Sequence, residues 1–155
     1  MAETSEDLNK EAIATLNDLI EISKDGERGF TAAAEDLTEA SLKAMLLEGA
    51  RRCAEGAAEL QREVRRLGGD PERGGSVSGA LHRAWVDTKS AVTGRDALAI
   101  LEEVERGEDV AVRVYREALQ KALPADARHV VQRQFDGVLA NHDRVKALRE
   151  RYRAS

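Results

Sequence analysis

A chain of 155 residues suits one domain with a core large enough to fold unaided, and its lone cysteine, Cys53, excludes an intrachain disulfide and favours a reducing compartment. Aromatic residues at 3% and only two prolines require a core of Ala, Leu, Val and Ile and leave room for long helices. With 24 basic and 29 acidic residues the net charge is −5, which argues against nucleic acid as a partner, and no run of 18 apolar residues exists to span a membrane.

The opening MAETSEDLNK is acidic where an export signal is basic and then apolar, so a cytoplasmic protein is expected. Charge is unevenly spread: residues 1–50 hold 12 acids and 4 bases, net −8, whereas residues 124–155 hold 7 bases and 4 acids, net +3. An acidic first helix and a basic last one are expected to attract, within a bundle or across a dimer.

Apolar periodicity predicts a first helix from about Asp7 to Asp36, with Ile13, Leu16, Ile20, Phe30, Ala34 and Leu37 returning at heptad-like intervals. Gly26 lies inside it and predicts a local bend or the close approach of another helix. Thr38 is the expected cap of a second helix that carries Leu42, Leu46, Gly49, Cys53, Gly56, Leu60 and Val64 along one side. That helix stops at Gly68-Gly69-Asp70-Pro71.

Glu72 to Thr93 is too long for a bare hairpin. It is expected to cross the bundle, to contain a short helix anchored by Trp85, and to leave the second and third helices parallel. Thr93 and Asp96 bracket the start of a third helix that runs to about Ala122, with Leu101, Val104, Ala111, Val112 and Tyr115 inward. Pro124 opens a fourth, carrying Val131, Gln134, Phe135, Val138, His142 and Val145. The expectation is a single all-α four-helix-bundle domain over residues 1–155, made of two antiparallel hairpins joined by a long crossover.

Acids fall where leucines belong. Extending the heptad from Leu16 and Ile20 puts Ser23 and then Glu27 on the inward face, with Glu21 as a competing acid. Glu105 and Glu108, three residues apart, fall near the inward sector of the third helix. His142 continues the inward series of the fourth. Counting from the two hairpin turns sets Glu27 level with Gly49, and Glu105 and Glu108 opposite residues 138–143, with Cys53 and Glu108 at similar depth. Two or more carboxylates and a histidine suit iron, manganese or zinc. The same acids at the bundle edge would instead pair with Arg51, Arg52, Arg106 or Arg144. Cys53, beside Ala54 and Gly56, reads as a small buried filler.

The segments LNDLIEISKDGERGF (Leu16 to Phe30), REVRRLGGDPE (Arg62 to Glu72), GALHRAW (Gly79 to Trp85), ILEEVERGED (Ile100 to Asp109) with Tyr115, and NHDRVKALR (Asn141 to Arg149) resemble the ferritin-like superfamily, and within it a bacterial branch of uncharacterised four-helix-bundle proteins. The resemblance implies a Glu on each of two helices and a Glu-x-x-His motif on each of the other two. Glu27 or Glu21, and Glu105 or Glu108, supply the single acids. The paired motifs are broken: Glu48-Gly49-Ala50-Arg51 has arginine for histidine, and Leu139-Ala140-Asn141-His142 lacks the acid.

Two functions are therefore expected. One is a non-enzymatic bundle without a cofactor that assembles through its faces as a homo-oligomer, with a dimer favoured and a stress-related or storage-like setting implied by the resemblance. The other is an iron- or manganese-binding protein or oxidoreductase with a degenerate site at Glu27, Glu105, Glu108 and His142. Whether the chain is an enzyme stays open, as does a small-molecule binder using the bundle cavity.

Overall fold

Thr4 starts the first helix: its hydroxyl accepts from Asp7 N at 3.1 Å while Asp7 answers its backbone N–H, a capping box that fixes the first turn. The structure is a computed structural model and describes residues 4–71 and 96–154. Helix α1 runs Ser5–Glu35, α2 Ala40–Arg66, α3 Ala97–Leu119 and α4 Ala125–Ala154. These are the four helices the periodicity predicts. The short helix expected around Trp85 and the cap expected at Thr93 lie outside the described residues.

The ends follow from local chemistry. Glu39, not Thr38, is the N-cap of α2, and it makes no side-chain cap bond; its carboxylate instead accepts from Ser41 at 3.0 Å. At the other end Gly68 N–H donates to Arg65 O and Gly69 N–H to Val64 O, a paired closure that requires the left-handed backbone of Gly68, φ 86°. Asp96 caps α3 by accepting from Ala99 N at 2.9 Å. The α3–α4 turn is tied by Arg128, which donates to the carbonyls of Leu119 and Lys121.

Contacts at the helix ends fix the topology. Asn17 Nδ2 reaches Asp70 O at 3.2 Å and Arg66 pairs with Asp126 at 2.8 Å, so the N-terminal half of α1 and the start of α4 both lie at the end of α2. Arg153 pairs with Glu102, and Tyr152 with Glu39, at the opposite end. Helices α2 and α3 therefore run parallel, and each hairpin is antiparallel. In cross-section α1 touches α2 and α3, and α4 touches α3 and α2. Helices α1 and α4 occupy opposite corners, so the expected attraction between the acidic first helix and the basic last one does not act inside the bundle.

The core is aliphatic. Leu16, Leu19, Ile20, Leu46, Leu60, Ile100, Leu101 and Val104 are fully buried, each contributing about 2 kcal/mol of burial free energy. Gly26 marks a close approach, as its position predicts: a Cβ there would lie 2.9 Å from Cys53 Sγ. Among the described residues no helix is long and apolar enough to cross a membrane.

Candidate functional site

Helices α2 and α4 are the least closely packed of the neighbouring pairs, and a cleft of about 680 Å³ opens between them. Its size follows from sequence. Gly49, Cys53 and Gly56 fall on one face of α2, and they are met by Gly26 of α1, Gly107 of α3 and Gly137 of α4. Where four helices converge without side chains to fill the space, the space remains. Ile22, Phe30, Ala111 and Val138 give the walls an apolar character. A volume of this order accommodates a small organic molecule.

Glu108 is the most deeply buried acid of the cleft wall. It is 5% exposed; its Oε2 accepts from Asn141 Nδ2 at 2.6 Å, and its Oε1 is buried with no hydrogen-bond partner among the described residues. A buried acceptor left unsatisfied costs about 1–3 kcal/mol, so native structures seldom leave one without a reason. Asn141 turns its own Oδ1 to Arg52 Nη2 at 2.9 Å, which ties α2, α4 and α3 through one amide. Burial pushes the Glu108 carboxyl from 4.5 up to about 7; the Asn141 bond and His142 pull it down, while Asp109 and Glu105 add to the rise.

Tyr115 lies deeper. Its hydroxyl donates to Gln134 Oε1 at 2.9 Å and lies 3.5 Å from Ser23 Oγ, and its ring stacks on Phe135. Gln134 in turn donates to Gly56 O and to Glu59, bracing α4 against α2. Burial raises the pKa of this phenol. It also pushes the Cys53 thiol up to about 12, with the charges of Glu108 and Glu27 adding to the effect and Arg52 opposing it. At the rim Arg51 is held by Glu48 and Glu55, and Arg133 by Glu59.

The four residues expected to hold a metal are not brought together. Glu27 is exposed. Glu105 forms an ion pair with Arg149, both side chains being largely buried at 16% and 14% exposure. His142 Nε2 shares a 2.6 Å hydrogen bond with Asp109 Oδ1, so the ring is engaged at the bundle edge. Of the four, Glu108 alone lines the cleft. Among the described residues no group of three or more His, Cys, Asp and Glu side chains is arranged to hold a metal ion. Two carboxylates bound to an arginine or an asparagine, and a histidine bound to an aspartate, do not fit the donor set of a ferritin-like metal centre.

Sequence reasoning placed Cys53 and Glu108 at one depth, and both line the cleft. It set Glu27 level with Gly49, whereas Phe30 packs on Gly49 and Gly26 on Cys53, about one turn away. Asn141, Gln134's polar role and Arg149 escaped it. The available signal for Asn141 was its place one position before His142 on a helix with a weak apolar stripe.

The family model of a domain of unknown function, DUF2383, matches residues 11–121, a span that takes in α1, α2 and α3 and stops before α4. No curated protein matches the chain.

Proposed function

The chain belongs to the DUF2383 family, and we propose that this member is a non-enzymatic bundle of ferritin-like architecture, from the bacterial branch of that superfamily, that binds a small molecule in the cleft between α2 and α4. The observation that carries this reading is the cleft itself, about 680 Å³ with Ile22, Phe30, Ala111 and Val138 on its walls. An apolar-walled cleft with few convergent polar groups is the usual form of a ligand site. The parallel α2 and α3 support the ferritin-like part of the reading. A metal function is not favoured, because Glu105, Glu108 and His142 are each committed to a different partner.

The test uses N-phenyl-1-naphthylamine, a neutral apolar dye that fluoresces on leaving water. It should bind the wild-type protein saturably and fail to bind a Gly56→Leu/Gly137→Leu double variant of unchanged helicity. A Cβ at Gly56 meets Gln134 at ordinary contact distance and one at Gly137 meets nothing within 4 Å, so both positions have room for a side chain to start toward the cleft. Absence of saturable binding, or binding that survives the double variant, overturns the proposal.

Assembly as a homodimer belongs to the same reading. Because α1 and α4 do not touch, the net −8 of residues 1–50 and the net +3 of residues 124–155 are not laid against each other within one copy, and a dimer that faces them would gain by it. Light scattering should then report a dimer at low salt that weakens as salt screens the charges; a monomer at both ionic strengths removes this part.

A further inference from the structure

The charges of the cleft wall do not balance. Among the described lining residues four arginines, Arg51, Arg52, Arg62 and Arg133, stand against three glutamates, Glu55, Glu59 and Glu108. Arg51 is engaged by Glu48 and Glu55, and Arg133 by Glu59. Glu108 turns to Asn141, and burial pushes its carboxyl up to about 7, so at mildly acidic pH it carries a proton and no charge. That leaves Arg62 and Arg52. Arg62 is exposed and makes no ion pair among the described residues. Arg52 is half-buried, and its hydrogen bond among the described residues, Nη2 to Asn141 Oδ1 at 2.9 Å, goes to a neutral amide. Because that bond runs from α2 to α4, it holds the Arg52 guanidinium between the two helices that bound the cleft. Glu48, which feels the charge of Arg52, is itself taken by Arg51. A guanidinium drawn partly out of water gains from an anion bonded to it, and none of the described carboxylates is so placed.

Resting on the reading of the cleft as a ligand site, we propose that its occupant is a small carboxylate with an apolar body, the carboxylate held by the N–H groups that Arg52 does not use on Asn141 and the body lodged against Phe30, Ala111 and Val138. These three side chains line the same cleft. The apolar wall begins within a turn of the guanidinium: Phe30 packs on Gly49, one turn before Arg52, and Val138 stands one turn before Asn141. The planar guanidinium is a fork that matches a carboxylate, and the Asn141 bond sets its direction before a ligand arrives. An ammonium in the same place would meet Arg52 with like charge, and a neutral alcohol would supply an acceptor without the charge.

The experiment is displacement of N-phenyl-1-naphthylamine by three molecules of one shape, 3-phenylpropanoate, 3-phenylpropanol and 3-phenylpropylamine, at about pH 6, where the acid is ionised and the amine protonated. In the wild type the carboxylate should displace the dye at a concentration roughly tenfold or more below the alcohol, with the amine weakest. Arg52→Gln should keep dye binding and lose the carboxylate's advantage, whereas Arg62→Gln should keep both. An advantage that survives Arg52→Gln, or that Arg62→Gln abolishes, overturns the assignment to Arg52. An alcohol equal to the carboxylate, or an amine ahead of it, overturns the anionic ligand, and this comparison in the wild type relies on no variant. Failure of the dye to bind the wild type removes the cleft reading and this inference together.

Discussion

Asn141 stands between Arg52 and Glu108, accepting from the guanidinium at 2.9 Å and donating to the carboxylate at 2.6 Å. A direct Arg52–Glu108 ion pair would hold the acid low. An intervening amide passes on a hydrogen bond but no charge, so burial prevails and the carboxyl titrates near 7.

The consequence for stability has a definite sign. Below the ordinary value of 4.5 both folded and unfolded chains carry the proton, and Glu108 contributes nothing. Between 4.5 and about 7 the unfolded chain releases the proton while the folded one keeps it, so stability falls as pH rises. Above about 7 the full penalty stands, on the order of 3 kcal/mol. Urea unfolding of Glu108→Gln against wild type should therefore give similar stabilities near pH 4 and a variant more stable by about 3 kcal/mol near pH 8. A difference that stays constant across this range would show that Glu108 is not buried as an acid.

Gly26 and Cys53 make a second tight pair. A Cβ at Gly26 would meet Cys53 Sγ at 2.9 Å but Cys53 Cβ only at 3.9 Å. Gly26→Ala alone gains about 1 kcal/mol of helix propensity and pays more for the displaced sulfur, for a net loss of about 1–2 kcal/mol. In a Cys53→Ala background the obstacle is gone and the same change should stabilise by about 1 kcal/mol. A cycle of four thermal melts checks the reversal; additive effects would place the sulfur elsewhere.

Cys53 should also react slowly although it borders the cleft. With the thiol pushed up to about 12, its thiolate is scarce at pH 8. Alkylation by iodoacetamide should run at least about a hundredfold slower than for a free thiol, and reach free-thiol rates in denaturant. Rapid labelling of the folded protein would mean that a cation reaches the sulfur.

These pairs show where the sequence was legible. Helix number, the Gly68 stop and the shared depth of Cys53 and Glu108 follow from periodicity, turn chemistry and counting from the hairpins. Rotation about each helix axis was harder. A strict heptad drifts by about 20° per seven residues against a straight helix, so extending it from Leu16 carried Glu27 inward when Gly26 is the buried position. On α4 the buried residues Val131, Phe135, Asn141 and Val145 are separated by exposed charges, and one position of rotation exchanges His142 for Asn141. That single step turns a metal-like set into a carboxylate held by an amide. The cap of α2 falls at Glu39 and not at Thr38, and it is made without a side-chain cap bond.

The acid expected beside Glu108, Glu105, now serves as a test of how depth sets the worth of an ion pair. Glu105 and Arg149 join α3 to α4 with 16% and 14% of their side chains exposed, whereas Glu102 and Arg153 make the same α3–α4 link at 40% and 58%. Removing one member of the sheltered pair leaves a charge short of water, and removing one member of the exposed pair leaves a charge that water solvates. Double-mutant cycles with Glu105→Gln and Arg149→Leu should give a coupling of about 1–3 kcal/mol. The matching cycle with Glu102→Gln and Arg153→Leu should be within error of zero. Raising the salt concentration should erode any residual coupling in the outer pair while leaving the inner one nearly intact, because screening ions reach only the exposed charges. Equal couplings would mean that α4 frays from α3 before Arg149, opening the sheltered pair to solvent.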